Sequence, residues 1–232
     1  MANPGFGQAA DGPLKRERNT QVVLMLKRLT ALLNPVRPAA RPALGIELPG
    51  ERVILKAGDP TDWRSWRAMR ELSRGFLVPW EPRWPPNALT YGYYCGLLRR
   101  HWREWRQGKG YAFMIFLRNE DGKPNILIGG ITLSEVQRGI AQKGTLGYWM
   151  GEPYAGRGYM TEAAALVCDF ALDKLKLNRI EASCMPQNEP SKSLLRRIGF
   201  EEEGYAKAYL QINGQWEDHL LWGKTKEEPG RA

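Results

Sequence analysis

Residues 146–200 read LGYWMGEPYAGRGYMTEAAALVCDFALDKLKLNRIEASCMPQNEPSKSLLRRIGF, and the order of patterns within them decides the fold. An aromatic and apolar run, Leu146 to Met150, ends at Gly151. A loop with glycines at 151, 156 and 158 follows, then an Ala-rich helical pattern from Tyr159 to Leu175. A second strand pattern, Arg179 to Met185, leads to Asn188 and a short helix, closed by Gly199-Phe200. Gly156 and Gly158 have no Cβ, so a negatively charged group can approach their backbone N–H groups closely. They precede a helix start, where unpaired N–H groups and the helix dipole favour anions. Strand, glycine loop and helix together predict a cradle for a phosphate or pyrophosphate. A nucleotide P-loop is excluded, because no Lys-Ser or Lys-Thr follows the glycines. So is the dinucleotide fingerprint, whose third glycine or alanine falls at Thr161. By itself, Gly-x-Gly is a weak signal that suits a plain tight turn better.

Outward from this stretch the patterns alternate. Arg52 to Lys56 predicts a first strand, and Asp59-Pro60-Thr61-Asp62 a helix start with proline and acids in its first turn. Trp63, Trp66, Met69, Arg70 and Leu72 continue that helix. FLVPWEPRWPP, residues 76–86, reads as a loop, because its prolines exclude a helix or central strand. Tyr91 to Gln107 predicts a basic helix with Arg99, Arg100, His101, Arg103 and Arg106. Tyr111–Leu117, Ile126–Leu133 and Thr145–Met150 predict strands 2, 3 and 4, with Asp121-Gly122 turning the first pair and Gly129-Gly130 bending the middle one. Strand 5 is Arg179–Met185. Tyr205–Ile212 and Gln215–Gly223 form a last hairpin around Asn213-Gly214. Ala163, Ala164, Val167, Phe170 and Ala171 give the central helix a core stripe.

The chain has 232 residues, with 25% charged and 43% hydrophobic, as expected for one globular domain with an extension. No apolar run approaches the ~20 residues of a membrane span. Cys95, Cys168 and Cys184 form no metal or disulfide pattern, which predicts packing residues in a reducing, cytoplasmic setting and no metal. Net charge is +9, which favours anionic partners. Residues 1–45 carry seven Lys and Arg against two Asp and Glu. Residues 1–18 lack any period and predict disorder. Residues 19–33 have helical spacing and suit a docking helix, a surface helix or part of an organelle-targeting segment, and residues 34–49, with four prolines, a linker. The expected organisation is a basic extension over 1–45, a domain over 46–228 and a tail over 229–232.

The central stretch resembles motif A of the GCN5-related N-acetyltransferases, Gln/Arg-x-x-Gly-x-Gly/Ala, whose loop holds the pyrophosphate of acetyl-CoA. Within that superfamily it is similar to the ribosomal-protein-alanine N-acetyltransferases of the RimJ type. Tyr148-Trp149, Gly156-Arg157-Gly158, Glu162-Ala163, Met185-Pro186-Gln187-Asn188, Gly199 to Lys207 and Gly214 to His219 carry the likeness, which spans about residues 50 to 226. It implies an α/β (α+β) fold. A mixed, mostly antiparallel seven-stranded sheet would splay between strands 4 and 5, with helices on both faces. Pro153 departs from the motif by removing a polar side chain and an N–H, and Arg157 is the residue expected to supply charge instead.

The same resemblance implies acetyl transfer from acetyl-CoA, as co-substrate, to an amine by direct attack. Backbone groups of Trp149, Met150 and Gly151 would face the pantetheine. Gly156, Arg157, Gly158, Tyr159, Met160 and Thr161 would take the phosphates, and Asn188 the CoA arm. Ser191 would protonate the leaving thiolate, although a serine there also suits helix capping. Trp80 and Trp84 would wall the acceptor cleft, or be half-buried aromatics. The acid and base positions of RimI-type relatives fall on Ser183 and Leu195, and that of RimL-type relatives near Leu210. This leaves Glu135, Glu162, Asp218 and His219 as candidate bases. Glu162 suits the helix dipole better than catalysis, and His219 a structural strand position. His101, among arginines, reads as solvent-facing. An α-amine, with a pKa of about 7.7–8.0 against about 10.4 for lysine, asks less of a base. The expected acceptor is therefore a protein N-terminus, a ribosomal one by resemblance, met by a monomer or homodimer. Small-amine or antibiotic acetylation, and an rRNA-binding assembly role through the basic extension and helix, are the alternatives.

Overall fold

The computed structural model describes residues 46–118 and 125–226. The expectations for residues 1–45, the Asp121-Gly122 turn and the tail lie outside these. The chain begins with β1 (Glu47–Pro49) and β2 (Val53–Lys56), then α1 (Trp63–Leu72), a short α2 (Arg74–Leu77) and α3 (Tyr91–Arg106). β3 (Tyr111–Leu117), β4 (Ile126–Gln137) and β5 (Lys143–Met150) follow, then α4 (Tyr159–Asp169), β6 (Arg179–Cys184) and α5 (Glu189–Arg197). β7 (Glu201–Ile212) and β8 (Gln215–Thr225) end the fold.

The strands form one sheet in the order β1-β2-β3-β4-β5-β6-β8-β7. Every pairing is antiparallel except β5 with β6. The eighth strand is β1, where the proline count predicts a linker. Pro49 is tolerated there because β1 is an edge strand, with one side free of ladder bonds. The pleat sends alternate residues of β3 to opposite faces. Phe113 and Ile115 meet Ala163, Ala164 and Val167 of α4 in one core, and Met114 meets Trp66, Tyr94, Leu98 and Trp102 of α1 and α3 in the other.

Three elements differ from expectation. The central helix turns into a wider π-turn over Phe170–Lys174, where Phe170, Ala171 and Leu172 are all buried. A 3.6-residue period cannot aim three successive side chains inward, and a widened turn can. In the 76–86 stretch, Phe76 and Leu77 complete α2, and Val78–Trp80 form a 3-10 turn. Pro79 sits in the first turn of that element, where its missing N–H costs nothing. β7 begins earlier, at Glu201, and breaks register at two places. The Gly129-Gly130 bend is present as a register shift opposite Ile115 and Phe116.

The feature that makes the site is a fork. β5 pairs with β6 only through Lys143, Gly144 and Thr145. Glu181 clamps this closed end, taking Lys143 Nζ at 2.8 Å and Arg179 Nε at 3.0 Å. Beyond it β5 stays with β4 as far as Met150, while β6 stays with β8 as far as Cys184.

Candidate active site

A cleft of about 410 Å3 opens at the fork. Gly151 N–H donates to Ile128 O of β4 at 2.8 Å. Backbone groups alternate sides along a strand, so those of Met150 and Tyr148 point into the gap that β6 has left. Of the expected trio, Trp149 and Met150 line the cleft, while Gly151 belongs to the ladder and abuts Met69.

The glycine loop forms one end of the cleft. Gly156 and Gly158 have φ of 72° and 81°, a region that disfavours any Cβ. A Cβ at Gly156 would meet nothing within 4 Å, so the loop is open on that side. Glu162 N–H is bonded back to Gly158 O at 3.1 Å. The N–H groups of Tyr159, Met160 and Thr161 precede it in the first turn of α4, where no intrahelical acceptor exists, and all three residues line the cleft. Arg157 is exposed and is not a wall; its carbonyl accepts from Arg52 Nη1 at 3.1 Å. Positive charge reaches the cleft instead from Arg197 of α5. Arg52 stands beside Gly158, 5.0 Å from the Tyr159 ring centroid.

At the fork itself Ser191 is buried, and its Oγ lies 2.6 Å from Tyr148 Oη. The capping role falls to Asn188, whose Oδ1 accepts from Ser191 N–H at 3.1 Å and opens α5. The Ser191 hydroxyl is thereby free for the tyrosine. Burial pushes the Tyr148 phenol up to about 12, partly offset by the bond to Ser191. Tyr148 thus keeps its proton across the physiological range. Its partner is 43 residues away in sequence, so only the fold reveals the pair.

A second cavity of about 270 Å3 shares Trp149 and Glu81 with the cleft. Trp149 projects from the face of β5 opposite Tyr148, over Gly130, where a Cβ would come within 2.4 Å of the indole nitrogen. The Arg70 guanidinium lies 4.9 Å from the Trp149 ring and 4.5 Å from that of Trp84. Both carboxylate oxygens of Glu81 accept from Arg70, and Oε2 also accepts from the Trp84 indole at 2.7 Å. Trp84 lines this cavity and Trp80 the cleft, so the two expected walls serve different spaces. His101 also lines the cavity rather than facing solvent; burial, aided by Arg100, lowers its pKa to about 4.

The four candidate bases border neither space. The Glu162 carboxylate accepts from Arg52 N–H at 2.8 Å, Arg52 Nε at 3.1 Å and Val53 N–H at 3.3 Å, tying α4 to β2. Glu135 takes the Thr145 hydroxyl at 3.0 Å. Asp218 takes Ala208 N–H at 2.7 Å and the Tyr205 hydroxyl within the β7–β8 hairpin. His219 is buried, with Nδ1 3.0 Å from Glu217 O. The carboxylate that does border the cleft, Glu81, was hidden in a proline-rich loop. Among the described residues no group of three or more His, Cys, Asp or Glu is placed to hold a metal ion, and no helix is long and apolar enough to cross a membrane.

Comparison with known proteins agrees with this geometry. The family described as Acetyltransferase (GNAT) domain matches residues 52–201. The chain is 35% identical over 192 residues to the [Ribosomal protein uS5]-alanine N-acetyltransferase of Escherichia coli, covering 80% of this chain and 95% of that protein. It is 44% identical over 111 residues to the "Probable N-acetyltransferase YjcK" of Bacillus subtilis, a match spanning 48% of this chain and 59% of that relative's length. Among solved structures, Mycobacterium smegmatis RimJ in complex with CoA-disulfide superposes with a TM-score of 0.70 at 32% identity, over 78% of this chain and 85% of that one. The ribosomal-protein-S5-alanine acetyltransferase of Vibrio fischeri does so with a TM-score of 0.71 at 29% identity, over 78% and 96%. With its forked sheet, its glycine-capped helix and these likenesses, the chain belongs to the GNAT family of acetyl-CoA-dependent N-acetyltransferases.

Proposed function

We propose that the chain transfers the acetyl group of acetyl-CoA to the N-terminal α-amine of a cytoplasmic protein, most specifically a ribosomal one. The observation that carries the chemistry is the Tyr148–Ser191 hydroxyl pair inside the fork. The first turn of α4 and Arg197 hold the phosphates, and the free edge of Met150 holds the pantetheine. A neutral amine attacks the thioester carbon, the C–S bond breaks, and the thiolate takes the Ser191 proton. Ser191 is refilled from Tyr148, Tyr148 takes a proton back from water, and the extra proton on nitrogen leaves to water. General acid help of this kind contributes about 10²–10⁴ in rate. The described residues bring no dedicated base beside the hydroxyl pair, which suits an α-amine of pKa about 7.7–8.0 better than a lysine. The ribosomal acceptor is supported by the uS5-alanine relative, with its near full-length match.

The test is a peptide panel with free N-terminal Ala, Ser or Met, N-blocked lysine controls and simple polyamines. Transfer confined to the free N-termini is expected; transfer to lysine or polyamines alone contradicts the reading. One addition has its own support. Arg99, Arg100, Arg103 and Arg106 form an exposed stripe on α3, suited to rRNA phosphates. Binding to rRNA that weakens steeply with salt is expected; salt-independent binding speaks against it.

A further inference from the structure

We propose that Glu81 holds the acceptor's α-amine and that the cavity behind Trp149 takes the acceptor's first side chain. This rests on the reading of the chain as an N-terminal acetyltransferase.

Position comes first. Glu81 and Trp149 are the residues that border both the acetyl-CoA cleft and the second cavity. The proton donors stand on one face of β5 and Trp149 on the other. An acceptor lodged in the cavity therefore meets the fork from the side opposite the departing sulfur.

The chemistry of Glu81 suits an amine. Two donors occupy Oε2, but among the described residues only Arg70 Nη1, at 3.1 Å, occupies Oε1. A carboxylate oxygen accepts two hydrogen bonds, so Oε1 has capacity for one more. A neutral primary amine has two N–H donors and a lone pair. One N–H on Oε1 fixes the amine and leaves its lone pair for the thioester carbon. The carboxylate is rigid: Arg70 is held between the Trp84 and Trp149 rings, and Glu81 O accepts from Asn213 N–H of the β7–β8 turn at 2.9 Å. Such support from surrounding groups is what positioning at a reacting centre requires. Because Arg70 offsets its charge, Glu81 anchors the amine rather than acting as its base.

The cavity's own walls select the side chain. Leu97, Met114 and Ile131 supply apolar surface, and the only imidazole, His101, is neutral at physiological pH. At about 270 Å3 the space exceeds what an alanine methyl needs and admits a leucine or methionine.

The test measures binding to the enzyme–CoA complex, in which no transfer occurs. Two peptides are compared, one beginning with free alanine and one with propionyl in its place, which lacks only the amine. In the wild type the amino peptide binds about tenfold tighter. In Glu81→Gln, measured with CoA saturating, this ratio falls severalfold as the charged acceptor becomes a neutral amide. An unchanged ratio overturns the role of Glu81. A second variant, Leu97→Trp, fills the cavity and weakens a leucine-first peptide about tenfold more than a glycine-first one. Equal effects on both overturn the side-chain assignment. If the wild type acetylates no N-terminal peptide, the parent reading fails. If it acetylates them and both variants behave like wild type, only this inference fails.

Discussion

At the residue scale, the proposed chemistry rests on two hydroxyls that the sequence does not place together. Ser191 was legible because its spacing from Asn188 matches a family pattern, yet a capping role fitted equally well. In the fold Asn188 caps α5, and the Ser191 hydroxyl lies against Tyr148 instead. Tyr148 itself reads as one more apolar strand residue until β6 and α5 return beside it. Ser191→Ala should lower kcat about a hundredfold with the acetyl-CoA affinity within about twofold, as a lost proton donor does. Tyr148→Phe keeps the packing and removes the resupply, so a smaller, roughly tenfold loss is expected. Equal kcat in wild type and Ser191→Ala, read by single-turnover kinetics, rules out the assignment. With the Tyr148 phenol at about 12, its acidic form persists to alkaline pH. The rate should therefore rise through about pH 8 with the acceptor amine and hold its plateau to pH ~10.

At the element scale, the glycine loop and helix were the most legible feature, because φ above zero and an unpaired helix start impose their own residue types. Gly158→Glu places a side chain at φ +81° and a negative charge where the proposed function puts the CoA phosphates. Calorimetry should show acetyl-CoA affinity down about a hundredfold, whereas an unaltered affinity removes the loop from the site. Glu162 was legible as a first-turn acid, but its tie to Arg52 and Val53 joins segments more than a hundred residues apart, which no local pattern shows. The placement of His101 is hidden in the same way, because the cavity it lines is assembled from segments distant in sequence. Its lowered pKa has a sign that can be measured. The fold favours the neutral imidazole, so the unfolded chain binds more protons between about pH 6.5 and 4. Stability from this group is full above about 6.5 and is lost as pH falls toward 4. His101→Phe should lose less stability than wild type between pH 7 and 4.5 in denaturant titrations, by on the order of 2 kcal/mol. Identical losses contradict the burial.

At the scale of the whole molecule, the run of patterns marked most strands and helices, the fork was expected from the family resemblance alone, and the strand order comes from the structure. The exceptions, β1 and the early start of β7, are edge segments, where neither burial nor alternation marks a strand. The acceptor cavity was not legible, because it is assembled from α1, α3, β3, β4 and a loop. Every described wall of the cleft lies between Phe76 and Arg197. A chain lacking residues 1–45 should bind acetyl-CoA within about threefold of the full chain, which equilibrium dialysis can measure; loss of binding makes the extension part of the fold. The most direct measurement uses one peptide carrying both a free N-terminal alanine and an internal lysine. After incubation with acetyl-CoA and the full chain, tandem mass spectrometry locates the acetyl group. It is predicted on the α-nitrogen alone, and acetyl on the lysine instead would contradict the N-terminal assignment.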